Sequence, residues 1–552
     1  MTRFQRKIYT LTFIILFAIT APSLIFFAKG YRFDTIKKVF IHSGSVIIKS
    51  SPKKVDIYID GKKASNKKLN FINNYYIVNG LRPGKHTVEC KKDGYTSWQK
   101  KIYTHSGLSI EFWNVLLMPT PNKTLQVYPP KNISRFYLSP RNKNELLLYK
   151  KKDSEKIISL FNTKEQTEKI IYKTNDIYDE LIPDKEENIE WSSNHKKIMI
   201  PATKDNAKDY IITNLKNSDE ENLSLYTICK KIPSNILGTN ITKKDSSQKQ
   251  VQKKTTLNNK SLTKKTPSVE IKNVSEQDKN ILLPPKIYQA RWIFDSDIKI
   301  ILLTTNHQLI IVNIAKPTES IFIDDNVNGF DLAGDHIYYT KLSDNVIWDI
   351  TSNQPKEKKG IAATIDIENK NNDFLKMIAY DEYRIALITS NKKLYLLNQD
   401  KEKKQLFFNK INDNTNGIQY SDDGKKMLYW TDNEIWVYML RDWKVQPNRQ
   451  EGEKIFITRF SSPLKNVQWL QTFENILFTN NNFVKLSELD NRDHINLVNV
   501  FTNHLLTQEY SCIYNKDNFI LYFLDFTDKD STKLKLQSIT LIENNNLFNL
   551  GN

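Results

Sequence analysis

Gly417-Ile-Gln-Tyr-Ser-Asp-Asp-Gly-Lys-Lys-Met-Leu-Tyr429 is the stretch that decides the fold. A short strand ending at Tyr420 runs into a polar turn, and an apolar strand follows from Met427. Gly424 stands where such a turn needs a positive φ, and Ser421, Asp422 and Asp423 bring oxygens that cap it, so their role is structural. The same strand, turn, strand pattern recurs at 136–149, 189–200, 290–302, 329–339, 377–388, 467–478 and 510–522, with the full turn kept only in the unit at Gly417. Successive units begin roughly 40 to 55 residues apart, except that the interval from 189 to 290 is about twice as long. Such a period is that of four-stranded blades set around an axis.

The fold class read from the chain is therefore mainly β, with a seven- or eight-bladed β-propeller over 119–552. Eight units are visible, but a ring can close with strands from both chain ends, so both counts stay open. The long interval contains 227–287, which has no Phe, Trp or Tyr and is dense in Lys, Ser, Thr, Asn and Gln. Such a stretch buries too little apolar surface to offset its ordering entropy. It is expected to be a disordered insert, and removing it restores the period. Between Asn240 and Asn280 ten lysines face four acids, which suits a solvated spacer, with contact to a polyanion as the alternative. Trp191-Ser-Ser-Asn-His-Lys-Lys197 and Tyr420-Ser-Asp-Asp-Gly-Lys-Lys426 resemble the Ser-x-Asp-Gly turn of TolB-like and WD-repeat-like propellers. That resemblance implies recognition through blade loops.

At the other end, Ile8 to Ala28 is a run of 21 residues without a charge, about 31 Å as a helix and long enough to span a bilayer core. Pro22 inside it is tolerated in such helices. A cleaved signal peptide is the rival reading, but Phe26 stands where a small residue should precede a cut after Ala28, and Ala21 with Ser23 makes a poorer site. An uncleaved anchor over 8–28 is expected. Arg3, Arg6 and Lys7 before the span are matched by Lys29, Arg32, Lys37 and Lys38 after it, so charge counting hardly orients it. A short basic N-terminus normally stays inside, which would put 1–7 in the cytoplasm, a juxtamembrane linker at 29–43, and everything beyond it outside the cell membrane.

From Gly44 the periodicity becomes two. Val55, Ile57 and Ile59 alternate with Asp56, Tyr58 and Asp60; His86, Val88 and Cys90 alternate with Thr87, Glu89 and Lys91. Asp60-Gly61, Pro83-Gly84 and Asp93-Gly94 mark turns, and Cys90 reads as a small core residue. In order, Gly44-Ser-Val-Ile-Ile-Lys-Ser50, Ile57-Tyr-Ile-Asp-Gly61, Leu81-Arg-Pro-Gly-Lys-His-Thr-Val88 and Asp93-Gly-Tyr95 with Trp98 resemble the PEGA domain, a small β-sandwich of bacterial and archaeal surface proteins. Two departures stand out: Pro52 is followed by Lys53, Lys54 and Val55, and Ala64-Ser65-Asn66 replaces the usual small-residue-Pro turn. The resemblance covers 44–118. Tyr95, Trp98 and Trp113 are the candidate binding-surface aromatics, able to stack on sugar rings if exposed, whereas in so small a domain large rings more often fill the core.

Composition narrows the function classes. The chain has 552 residues, a formal charge of +19 and three distant cysteines, Cys90, Cys229 and Cys512, which excludes a disulfide framework and a CxxC site. GxGxxG, P-loop, Gly-x-Ser-x-Gly and HExxH patterns are all missing. Asn412-x-Asn414-x-Asn416-Gly417 with Asp423 looks like a calcium loop, but Asn stands first, the last position is not Glu, and Ile418 to Tyr420 already reads as a strand, so an inter-blade loop is expected. No catalytic, metal or cofactor residue is assigned. The function expected is a non-enzymatic, single-pass envelope protein that binds protein or wall polymer, with nucleic acid an unlikely partner and the oligomeric state open. The alternatives are an envelope hydrolase with carboxylates at the channel mouth and a polyanion binder using the Lys-rich insert.

If the insert lies outside the core, deleting 240–280 should change the unfolding free energy of the detergent-solubilised chain by no more than about 1 kcal/mol, the scale of loop-closure entropy for such a shortening. A large fall in melting temperature would show that the segment is packed.

Overall fold

The computed structural model of the protein describes residues 3–34, 38–64, 67–70, 75–120, 124–129, 133–152, 154–175, 178–182, 189–216, 222–236, 286–344, 346–362, 373–399, 406–470, 473–502, 511–526 and 534–542. A helix, Arg3–Ala28, leads into a two-stranded hairpin, Tyr31–Asp34 with Val39–His42. Two four-stranded sheets then pack face to face over Gly44–Ser51 to Ser109–Leu116. Between them lie Val46, Ile48, Val55, Ile57, Val88, Cys90 and Trp98, the inward set of the period-two pattern. The segment 29–43, read from sequence as a linker, thus carries a hairpin; strands of only four residues give too little periodicity to show it.

The rest forms a ring. Among the described residues, eight sheets follow one another at 133–175, 180–224, 287–324, 327–362, 376–412, 417–459, 464–502 and 512–540, numbered here as blades 1 to 8. Each is an antiparallel meander, with an extra short pairing in blade 2, so strand one neighbours strand two and so on outward. Blade 8 has only three strands of its own; its fourth is Leu125–Tyr128, which pairs with Leu534–Thr540. The ring therefore closes with a strand from before blade 1, and the count is eight. Tyr128 seals the seam by donating its hydroxyl to Glu168 of blade 1 at 2.5 Å, where Ser159 and Lys150 also converge.

Packing explains why the second strands read as unbroken apolar runs. In blade 1, Leu146 and Leu148 lie in the cluster shared with blade 8, while Leu147 and Tyr149 lie in that shared with blade 2. Both faces of every blade are covered by a neighbour, so alternation is lost where burial is two-sided. Eight such clusters join the eight blades pairwise around the ring.

The turns between the first two strands of blades 6 and 2 follow the local chemistry expected. Ser421 Oγ donates to Asp423 Oδ1 (2.6 Å), Gly424 N closes on Ser421 O (2.8 Å), and Gly424 adopts φ +62°. Blade 2 builds the same turn with Ser192 and Asn194, and His195 takes φ +54° where Gly would be easier. The aromatic-free boundary places the start of the insert too early, because its first residues pack into the ring. Leu225–Cys229 is a short helix, and Leu225, Ile228, Cys229 and Ile232 are buried between blades 2 and 3. Residues 237–285, the bulk of that insert, lie outside the described residues. The three cysteines are free and buried.

One inter-blade tie is a buried carboxylate. Asp324, on the outer strand of blade 3, accepts from Tyr339 (3.0 Å), Lys341 (2.9 Å) and Lys358 (2.8 Å) of blade 4. Burial alone would raise its pKa, but Lys358 and Lys341 outweigh it and hold the carboxyl below its ordinary 3.8. A depressed folded-state pKa means stability that is complete above the unfolded value and is lost as pH falls through the folded one. Asp324→Asn should therefore destabilise the protein by about 1–3 kcal/mol at neutral pH, and urea melts should show the difference from the parent shrinking as pH drops below the carboxylate range. A pH-independent difference would rule out the charge as its origin.

Candidate functional site

Strand Trp98–Thr104 of the sandwich alternates Trp98, Lys100, Ile102 and Thr104 inward against Gln99, Lys101 and Tyr103 outward. A lysine on the inward face needs partners, because an uncompensated buried ammonium is costly. It finds them in blade 7. Lys100, with no exposed surface, pairs with Glu488 (2.5 Å) and donates to the carbonyls of Asp490 (2.7 Å) and His494. All three of its protons are used. Glu488 is equally full: beyond Lys100 it accepts from Trp98 Nε1 (2.8 Å), Asn496 N (2.9 Å) and Asn496 Nδ2 (2.8 Å).

Around this pair the junction is continuous. Arg492 lies over the ring of Phe112 at 4.3 Å, donates to Glu111 O (2.7 Å) and is held by Asp490. Gln446 of blade 6 exchanges two hydrogen bonds with the sandwich edge, to Ser109 O (3.0 Å) and from Glu111 N (3.1 Å). Leu116 and Met118 enter the apolar cluster of blades 7 and 8. A cleft remains between Phe112 and Trp113 on one side and Glu474, Glu488 and Asp490 on the other, but at about 20 Å³ it has room for little more than a water. Burial pushes the Glu474 carboxyl up, against the opposing pull of Lys426.

The topology tells which propeller face is covered. Asp490 to Asn496 and Gln446 connect strands three and four of blades 7 and 6, and Glu474 lies between strands one and two of blade 7. In an antiparallel meander these connections share one face. The opposite face, made by the two-to-three connections and the crossings from one blade to the next, carries none of these junction contacts. Ile236 and Lys286, which flank 237–285, belong to a crossing on that free face.

First strands meet around the axis through a repeated device. A side chain on one blade accepts the backbone N–H of the next: Glu190 from Trp292 (3.1 Å), Asp331 from Ala379 (2.8 Å), Gln419 from Trp469 (2.9 Å) and Gln468 from Tyr514 (2.9 Å). Arg291 lies between Glu190 and Asp331 and pairs with both. Protein surroundings push the Glu190 carboxyl up despite Arg291, although a quarter (25%) of its side chain still meets solvent. Both carboxylates are thus tied to a cation and to backbone amides, as in a structural bridge.

Of the sequence candidates, Trp98 is corrected: it is 3% exposed, sits edge-on to Phe112 and bonds Glu488, so it is unavailable to an external ligand. Tyr95 and Trp113 are half-buried and separately engaged. Tyr95 packs on the sandwich core with Lys92 over its ring, and Trp113 meets Tyr75 edge-on and donates to Glu111 (2.8 Å). The three do not form one flat platform. The calcium-like string is divided among other bonds: Asn412 caps Asn414 O (3.1 Å), Asn416 binds Asp432 (2.6 Å), and Asp423 belongs to the blade 6 turn. Among the described residues no group of three His, Cys, Asp or Glu could hold a metal.

No family model matches the chain, and no curated protein sequence matches it. Among solved structures it is similar to the Cps50 (Swd1) β-propeller domain of Myceliophteria thermophila (TM-score 0.37, 8% identity, 76% of this chain and 100% of that one). It is likewise similar to an oligogalacturonate lyase in complex with manganese (TM-score 0.37, 11% identity, 76% of this chain and 94% of that one).

Replacing Lys100 leaves Glu488 buried without its cation, a loss of about 3–5 kcal/mol for a pair of this kind. Lys100→Met should raise amide exchange in 488–496 and in Trp98–Thr104 together, while the far blades keep their protection. The double variant Lys100→Met with Glu488→Leu should recover most of that protection. If the single variant exchanges like the parent, the pair does not hold the junction.

Proposed function

We infer that the chain is a membrane-anchored scaffold of the cell envelope, whose PEGA-like sandwich and propeller lie outside the cytoplasm and bind protein or wall polymer. The observation that carries this reading is the docking of the sandwich on one propeller face by a fully paired buried ion pair, which leaves the other face without junction contacts among the described residues. Support for the anchor comes from the helix Arg3–Ala28, whose most apolar 18-residue stretch has a mean hydropathy of 2.3 and which has no buried residue. A broad loop-built face on a rigid ring suits recognition, with specificity carried by the loops rather than the fold.

The test uses the full chain in detergent, immobilised and exposed to solubilised envelope proteins and wall fragments. Charge-altering substitutions of exposed free-face residues, Asp325→Arg, Lys392→Glu and Asn482→Arg combined, should cut retention of the bound species roughly tenfold or more, as the loss of about 1.4 kcal/mol does. The retained species should be chemically unchanged. Undiminished retention by the triple variant would overturn the assignment of the face, and turnover of peptidoglycan or peptide, abolished by replacing one Asp or Glu, would overturn the scaffold reading in favour of an enzyme. Protease added to spheroplasts should digest the propeller; its survival while a known external domain is cleaved would reverse the topology.

A further inference from the structure

The helix ends at a defined stop. Lys29 N still bonds Ile25 O (2.9 Å), Gly30 then turns at φ +86°, and Ser43 returns to Gly30 O through both its backbone N (3.0 Å) and its hydroxyl (2.8 Å). The hairpin Tyr31–Asp34 with Val39–His42 is therefore clamped at its base to the last helical turn. Arg32 reinforces the clamp, lying 3.7 Å from the Phe27 ring centroid and donating to Phe27 O (2.8 Å). On the other side Ser43 O accepts from Gly107 (3.1 Å), so helix, hairpin and sandwich are joined by successive hydrogen bonds.

Register assigns the hairpin faces. Tyr31 pairs with His42 and Phe33 with Phe40, so the four rings share one face. Tyr31 stacks on His42 (4.7 Å) and Phe33 meets Phe40 edge-on (5.2 Å), yet Phe33 is 53% and Phe40 68% exposed. A two-stranded hairpin is marginal in water, and among the described residues no further strand pairs with it. The loop beside it leaves Leu108 exposed too, so this end of the sandwich has an apolar rim immediately after the apolar helix. Lys29 and Lys38 flank the first and second strands in sequence, and Arg32, on the opposite hairpin face, lies over Phe27, so basic residues adjoin the aromatic face. Amphipathic rings backed by basic side chains, directly following a membrane-length helix, match the chemistry of the lipid headgroup region.

We propose that the aromatic face of this hairpin lies in the lipid–water interface and fixes the sandwich at a set height and tilt above the bilayer. The inference rests on the reading of Arg3–Ala28 as an anchor. Its occupant is the membrane containing the chain's own helix, with anionic headgroups against Lys29, Arg32 and Lys38.

The test uses the full chain reconstituted into vesicles of mixed phosphatidylcholine and phosphatidylglycerol. The native cysteines are buried, so an environment-sensitive fluorophore can be placed in turn at Phe33→Cys, Phe40→Cys, Phe17→Cys and Asn482→Cys, and quenched by lipids carrying a nitroxide near the headgroup or deep in the acyl chain. The labels at 33 and 40 should be quenched about twofold or more by the headgroup nitroxide, as expected of an interfacial segment, with the label at 17 quenched by the deep one and that at 482 by neither. Quenching at 17 with none at 33 and 40 would overturn the hairpin proposal while leaving the anchor intact. Absence of quenching at 17 would overturn the anchor itself and, with it, the interfacial hairpin.

Discussion

The arrangement of the whole molecule depends on one buried ion pair. Lys100 and Glu488 are 388 positions apart in the chain, and desolvating both is costly. The cost is offset only because every proton of the ammonium and the lone pairs of the carboxylate find partners: two carbonyls, an indole N–H, an amide and a backbone N–H. Such a pair adds little net stability compared with well-packed apolar side chains, but it tolerates one geometry. An apolar junction alone could slide; a filled carboxylate cannot. The sandwich is thereby held at one angle on blades 6 and 7.

That constraint needs a rigid support, and the ring supplies it. Blades buried on both faces have no freedom to splay unless an apolar cluster opens, and the closing strand Leu125–Tyr128 removes the free end at which opening would start. Closure also couples the two regions physically. The segment that leaves the sandwich through Leu116 and Met118 is followed by the closing strand, so the junction and the seam lie within a dozen residues of each other.

Much of this was legible in the sequence because it is local. Turn chemistry at Ser421 to Gly424, the two-residue alternation around Val55 and Val88, and the charge-free run at Ile8 to Ala28 each express their physics within a few neighbours. What escaped is non-local. The blade count could not be read, since Leu125–Tyr128 finds its partner some 400 residues later. Lys100 looked like one more lysine in a basic chain; the signal was its parity, two places from Trp98 and Ile102 on the inward face, and only Glu488 makes sense of it. The insert boundary was set by missing aromatics, whereas Leu225, Ile228 and Ile232 pack with aliphatic side chains alone. Trp98 fills the sandwich core, as large rings in so small a domain usually do, and what the sequence did not show is that its indole N–H also reaches Glu488 across the junction.

Rigidity also bears on how a binding face would work. Gly30 is tied to Ser43, Ser43 to Gly107, and Lys100 to Glu488, so the end of the helix is bonded to the sandwich and the sandwich to blade 7. A flexible tether would let a scaffold sample many orientations and lose entropy whenever two of them had to be selected. A stiff one incurs that loss during folding, once. On the proposed readings of the helix as an anchor and of the hairpin as interfacial, a partner of the opposite propeller face would be met from a direction set by the hairpin and the ion pair, so that side chains far from that face, Lys100 and Phe40 among them, would govern binding without touching the ligand.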